Sequence, residues 1–380
     1  MKILFVAPSY KPAYIYGGTI VVIAQLAETL VKMGHEVTVY TTTANGAEEL
    51  PVTKNTATFV NGVEVFYFKR ITKDHTHISL ALWSYMNKTV KQFDIVHIHS
   101  WWNFLVIGAV WICKKNGIKP IVSPHGMLST YILEKNNSLK KRFIHFICGK
   151  KLLASTFLHV STEMELKESR AIIPGWEGEV ITNPVTLSTN IYVRPINDVF
   201  TIGFLSRIDH KKGLEILLKA LSTVNFPFYF KIAGSGEESY LDSLKALSTS
   251  LGINQHVEWV GWKNGNEKFD YLSSLDLFAL TSHSENFAIV VIESLSVGTP
   301  VLISDQVGLC AYVLKEDLGW VTSLELEQVV ATLEKCVSEK AKSAKIQASA
   351  AAQIHNEYSD EVLTDRYVDF YKHIIQLRKK

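Results

Sequence analysis

Three runs decide the fold: K-I-L-F-V-A at residues 2–7, T-I-V-V-I-A-Q-L-A-E-T-L-V-K-M at 19–33 and E-V-T-V-Y-T at 36–41. The first is a short apolar run of the kind a buried strand needs. The second repeats its apolar residues at helical spacing and stops at Gly34. The third returns to residues that favour strands. Strand, loop, helix, strand is the opening of a doubly wound parallel sheet, because parallel neighbours need a crossover of helical length between them. The loop carries Pro8, Pro12, Gly17 and Gly18. That glycine pair lets backbone come close to a ligand at a helix N-terminus. The pattern is not G-x-G-x-x-G, which weakens a dinucleotide reading.

The same rhythm continues outward. Strands are expected at 60–70, 94–99, 120–123, 157–160 and 179–182, with a helix at 104–116. Asn183 to Asp198 holds Pro184 and Pro195, has no strong periodicity, and reads as a linker. Beyond it the spacing predicts strands at 200–205, 228–233, 257–260, 277–281 and 300–303, with helices at 213–221 and 238–251. The expected fold class is α/β, with two Rossmann-like doubly wound domains. They divide as residues 1–187, residues 188–358 and a C-terminal helix at 359–380 that packs back on the first domain. A chain of 380 residues suits two cores better than one.

Composition narrows the class. Hydrophobic residues make up 47% and charged residues 20%, as in a globular protein that stays in solution. No apolar run reaches the roughly eighteen residues of a membrane span, and the run after Lys2 is too short for a signal peptide. The four cysteines (113, 148, 310, 336) lack C-x-x-C spacing and fit reduced cytoplasmic thiols. The net charge of +2 hides an asymmetry. Residues 1–190 carry 20 Lys and Arg against 13 Asp and Glu, while residues 191–380 carry 19 against 24. A basic first half points to an anionic partner or merely aids solubility. Overall charge near neutral, without an RNA-binding motif, argues against nucleic acid. In residues 135–151 basic side chains bracket an aromatic and aliphatic face, Phe143, Ile144, Phe146 and Ile147. The stretch forms either an amphipathic helix lying on anionic lipid at the inner face of the membrane or a solvated flank of its own domain.

Candidate chemistry gathers at strand ends. His97 and His99 share a face of one strand, but no third ligand is suitably spaced, so a metal pair is set aside. In S-P-H-G-M-L (123–128), Pro124 and Gly126 hold His125 in a sharp turn at a strand's carboxyl end, where such sheets place ligands. A core histidine is the alternative. Arg207 and Lys212 in S-R-I-D-H-K-K-G (206–213) put two cations near a helix N-terminus, able to hold a diphosphate. Gly234 and Gly236 let the next turn pass close to a ligand. In L-T-S-H-S-E-N-F-A-I-V-V-I-E-S-L-S-V-G-T-P (280–300), Ser282, Ser284 or Asn286 is expected to cap a helix. Glu285 then sits in the entry loop and Glu293 on the second or third turn.

The ordered set resembles retaining glycosyltransferases of the GT-B fold, family 4. It comprises Gly17-Gly18, S-P-H-G, the Arg207/Lys212 loop, a G-x-G turn and the E-x7-E pair of Glu285 and Glu293. S-P-H-G-M-L and S-D-Q-V-G (304–308) are similar to the bacterial subgroup that builds cell-surface polysaccharide such as capsule and lipopolysaccharide. The resemblance implies a nucleotide-sugar donor, UDP- or GDP-linked, a saccharide or lipid-linked saccharide acceptor, and no cofactor or metal. It places Arg207 and Lys212 on the diphosphate and Glu293 on the ribose. Glu285, Asn286 and the amides of Phe287, Ala288 and Ile289 then face the sugar and phosphate. It gives His125 the sugar from the other domain, Gly17 and Gly18 the phosphate or acceptor, and Gly234, Gly261 and Trp262 the rest of the donor, the last two near the base. Where the family carries glycine this chain has Ala288, whose methyl narrows the room at the sugar. No D-x-D motif is present, so the two cations stand in for a metal. A sugar-nucleotide epimerase or hydrolase of this fold, or a non-catalytic nucleotide-sugar binder, fits the same inventory less well.

Overall fold

Burial follows the apolar runs strand by strand in the computed structural model, which describes residues 1–135, 149–192 and 195–378. The chain divides into two compact units, one of Met1–Pro184 with Asp360–Lys380 and one of Val185–Ser359. In the first unit Lys2 is exposed and Ile3, Leu4, Phe5 and Val6 of β1 (Lys2–Val6) are fully buried. This is the pattern of a strand covered on both faces. It pairs in parallel with β2 (Glu36–Thr42) on one side and β7 (Ile95–His99) on the other.

The remaining strands of this unit are β3 (Ala44–Asn45), β4 (Glu48–Glu49), β5 (Ala57–Val60), β6 (Val63–Phe68), β8 (Ile121–Ser123), β9 (Phe157–Val160) and β10 (Gly178–Val180). They give an eight-stranded order β10-β9-β8-β7-β1-β2-β6-β5, with β3 and β4 pairing separately. The strand expected over 60–70 is present as β6, but its start is corrected, since Val60 ends β5 and residues 61–62 form a hairpin turn. Asn61 and Gly62 both take positive φ (50° and 85°), and β5 runs antiparallel to β6. Asn-Gly is the pair that a two-residue hairpin turn requires.

The second unit holds β11 (Phe200–Leu205), β12 (Phe228–Ala233), β13 (Val257–Gly261), β14 (Leu277–Leu280), β15 (Val301–Ser304) and β16 (Gly319–Thr322). Every pair is parallel in the order β13-β12-β11-β14-β15-β16. Read in chain order this is 3-2-1-4-5-6. It reverses between β11 and β14 and so opens a crevice outside their carboxyl ends.

The helix Asp360–Leu377 closes the first unit. It buries Tyr367, Val368, Phe370, Tyr371 and Ile374 in the core that also holds Ile3, Phe5 and Ala24. Each such side chain contributes roughly 2 kcal/mol. Ser359, in extended conformation, breaks it from the preceding helix Lys340–Tyr358. Residues 136–148, most of the basic amphipathic stretch, lie outside the described residues. No helix among the described residues is long and apolar enough to cross a membrane.

Candidate functional site

Two loops meet at the reversal point of the second unit. The loop after β11 runs through Arg207 to the turn His210–Lys212, and the loop after β14 runs through Glu285. Three contacts stitch them together. His283 N donates to Lys211 O at 2.8 Å and Thr281 Oγ1 to Gly213 O at 2.9 Å. Lys212 Nζ donates to Glu285 Oε1 at 2.6 Å, with both side chains about 15% exposed. Gly213 makes the approach possible, because a Cβ there would lie 2.0 Å from Thr281 O and its φ is +64°. Arg207 is exposed and joins no ion pair among the described residues. Lys211 is a third cation, passed over in sequence reading. Burial draws its ammonium below the ordinary value, with the Glu285 carboxylate opposing.

The glycines of the next turn answer first to packing. A Cβ on Gly234 would meet Ser206 O at 2.1 Å, and one on Gly236 would meet Ile208 O at 2.1 Å. They let the turn after β12 lie against the loop that carries Arg207, with Ile208 N donating to Ser235 O at 2.8 Å. Gly261 ends β13 with φ +71°. The adjacent Trp262 is 50% exposed, in the loop just after the edge strand, which lies two places from the reversal point.

Glu285 occupies the entry loop, as expected, and its backbone is held from the far side. Its N–H donates to Gln306 O at 3.0 Å and its carbonyl accepts from Gly308 N at 2.8 Å. The S-D-Q-V-G motif is thus the clamp on Glu285. The capping expectation is corrected. The helix runs Ile289–Ser296, so none of Ser282, Ser284 and Asn286 stands at its N-cap position. Ala288 does, with φ 61° and ψ 70° and no side-chain cap bond. An alanine in this left-handed region costs about 1 kcal/mol relative to a compatible glycine. Ala288→Gly is therefore expected to stabilise by about 1 kcal/mol, read as a higher urea midpoint at unchanged slope. A lowered midpoint would refute the strain. Phe287 is buried against Tyr358 at 6.4 Å between ring centroids, so it supplies backbone rather than ring to any ligand.

Glu293 lies on the second turn of that helix, 7% exposed. Its Oε1 accepts from Lys268 Nζ at 2.5 Å. Burial pushes the Glu293 carboxyl above its ordinary value, and the Lys268 charge opposes the shift. Lys268 was not found from sequence. It sits on the helix Gly265–Ser273, whose G-N-E-K-F-D-Y-L-S has no clear amphipathic repeat, although Phe269, Tyr271 and Leu272 are buried.

In the first unit Gly17 takes φ 79° and ψ −150°, a region open to glycine, and precedes the helix Gly18–Lys32. A Cβ on Gly17 would meet nothing within 4 Å, so conformation rather than packing demands the glycine. Gly18 is exposed. His125 is half-buried with φ 52°, followed by Gly126 with φ 75°. The turn is fastened by Gly126 N donating to Glu165 Oε1 at 2.6 Å. His125 Nε2 lies 3.1 Å from His99 Nδ1. Removal from water holds the His125 imidazole neutral, its pKa pulled down to about 3. His97 and His99 share a face and stack at 4.2 Å, both buried. Among the described residues no cluster of three His, Cys, Asp or Glu side chains is placed to hold a metal ion.

Chemically, the second unit offers cations, a clamped carboxylate and helix amides at one reversal point, a setting for a phosphorylated polyol. Family comparison agrees with that chemistry in both halves of the chain. Residues 193–353 match the model for glycosyl transferases group 1, and residues 16–189 match that for Glycosyltransferase Family 4. Together the two matches, one in each half of the chain, support a group 1 glycosyltransferase.

This glycosyltransferase is 26% identical to an uncharacterized glycosyltransferase of Methanocaldococcus jannaschii, over 98% of each chain. It is 24% identical to the alpha-monoglucosyldiacylglycerol synthase of Streptococcus pneumoniae, over 97% of this chain and 87% of the relative. Among solved structures it resembles the Anabaena protein Alr3699/HepE in complex with UDP-glucose. The TM-score is 0.72 at 18% identity, covering 98% of this chain and 100% of the other. The fold is accordingly GT-B, with two doubly wound units.

Proposed function

We propose that this glycosyltransferase moves a sugar from a UDP- or GDP-linked donor to a saccharide or lipid-linked saccharide acceptor, with retention, in cell-surface polysaccharide synthesis. The observation that carries the reading is the Lys212–Glu285 pair, which joins the two loops at the reversal point of the second unit's sheet. Arg207 and Lys212 neutralise the departing diphosphate, with the amides at Phe287 to Ile289 beside them. In the proposed front-face step the bond from the sugar's anomeric carbon to the phosphate oxygen breaks. The acceptor oxygen bonds that carbon on the same face, and its proton passes to the departing phosphate. Glu293 holds the ribose, Glu285 and His125 the sugar hydroxyls, and Trp262 flanks the base. In this reading Arg207 and Lys212 supply the positive charge that a metal would otherwise bring.

The UDP-glucose held by the Anabaena protein supports a UDP-linked donor. The diacylglycerol in the Streptococcus pneumoniae relative's name supports an acceptor carried on lipid. The test is a panel of UDP-, GDP- and ADP-sugars with and without a lipid-linked acceptor extract, run with and without EDTA. Acceptor-dependent transfer that survives EDTA, giving the donor's anomeric configuration by proton NMR, is the expected result. Hydrolysis indifferent to acceptor, or binding without turnover, would overturn the transferase reading; an inverted product would overturn retention.

A further inference from the structure

Buried histidines in the first unit fix one another's protons. His159 Nε2 lies 3.0 Å from Ile181 O, which can only accept, so that nitrogen carries the hydrogen. Burial keeps His159 neutral, its pKa pulled down to about 4. Its Nδ1 is therefore bare and accepts from the Ser123 hydroxyl at 2.6 Å. A hydroxyl has one hydrogen, so Ser123 Oγ must accept from His97 Nε2 at 2.5 Å. His97, also held neutral by desolvation, is then bare at Nδ1 and accepts from the Tyr371 hydroxyl at 2.8 Å. Four bonds run one way, from the C-terminal helix to the backbone after β10.

His99 stands outside that chain. It stacks on His97, its Nε2 is buried with no hydrogen-bond partner among the described residues, and its Nδ1 faces His125 Nε2 at 3.1 Å. One hydrogen lies between those two nitrogens. Were it on His125, neutral His99 would carry its own hydrogen on Nε2, a buried N–H with nothing to receive it. An orphaned buried N–H is costlier than a bare acceptor nitrogen. The hydrogen therefore sits on His99 Nδ1, His125 accepts at Nε2, and neutral His125 keeps its own hydrogen on Nδ1.

We propose that His99 is a positioning residue that fixes His125 in its Nδ1–H tautomer, so that His125 meets a ligand as a hydrogen-bond donor. The ligand class is an oxygen acceptor, a sugar hydroxyl in the first instance; this clause rests on the role proposed above for His125. A second consequence is that His125 Nδ1 cannot serve as the base that deprotonates the acceptor.

The test uses the full chain with 15N-labelled histidine, His125 being assigned by difference from His125→Gln. Wild-type protein is expected to show a protonated Nδ1 and a bare Nε2 at His125. His99→Phe keeps a ring to stack on and deletes the donor. It should shift His125 toward the Nε2–H tautomer and lower kcat/KM for the nucleotide sugar about tenfold. His99→Asn sets an amide near the lost Nδ1 and should restore both in part. A wild-type His125 protonated on Nε2, or a His99→Phe spectrum with His125 unchanged, overturns the proposal. A shifted tautomer with unchanged kcat/KM upholds the positioning and overturns the role of His125 at the sugar.

Discussion

Lys212→Ala is expected to lower kcat by about 10²–10³-fold with the fold intact, the loss typical of removing one preorganised donor to a developing anion. Among the described residues its side chain makes one ion pair, to Glu285, while its backbone N–H stays on Asp209 O at 2.8 Å. The turn that carries it therefore survives the truncation. Glu285 keeps its two backbone bonds to Gln306 and Gly308 and remains partly open to water, so the freed carboxylate costs little stability. Arg207→Ala should act alike, and with less structural consequence, since Arg207 is exposed. Steady-state rates with a nucleotide sugar, beside circular dichroism, are the measurement. Near-normal rates in both variants would remove the diphosphate role from this loop and the front-face step with it.

The two folds could be read because their strands are short apolar runs separated by helix-length crossovers. That signal does not depend on tertiary detail. Glu285 in its loop and Glu293 on its helix were legible for the same reason, since strand, turn and helix there follow in tight succession. What escaped depends on distance in the chain. Lys268 is 25 residues from Glu293 on a helix without clear periodicity. Tyr371 reaches His97 across 274 residues. Asn61-Gly62 was a local signal, overridden by the alternation that surrounds it. The helix start was misplaced because Ser284 and Asn286 look like caps, whereas Glu285 bridges to Val307 and the helix begins only at Ile289. Ala288 then has to make the turn that glycine makes more easily.

Lys268→Met is expected to destabilise by about 3 kcal/mol near neutral pH, as breaking a buried pair does when one charge is left behind. Glu293 is the group left behind, nearly sealed from water beside Val291 and Ile292. Its folded pKa is raised, with burial the larger cause and Lys268 the opposing one. A raised carboxyl contributes stability that is fully present below its unfolded pKa and is lost as pH rises through the folded one. Removing Lys268 raises the folded value further, so the window of loss opens above the unfolded pKa and widens with pH. The cost of the substitution should be small near about pH 4, where the carboxyl is protonated in both states, and largest near about pH 8. Lys268→Met with Glu293→Gln should recover most of it, because an amide needs no countercharge. Urea midpoints for the single and double variants at both pH values decide the matter. A loss independent of pH, or no recovery in the double variant, would mean that Lys268 acts through its ammonium over the Phe269 ring, 4.8 Å from the centroid, and not by holding the charge of Glu293.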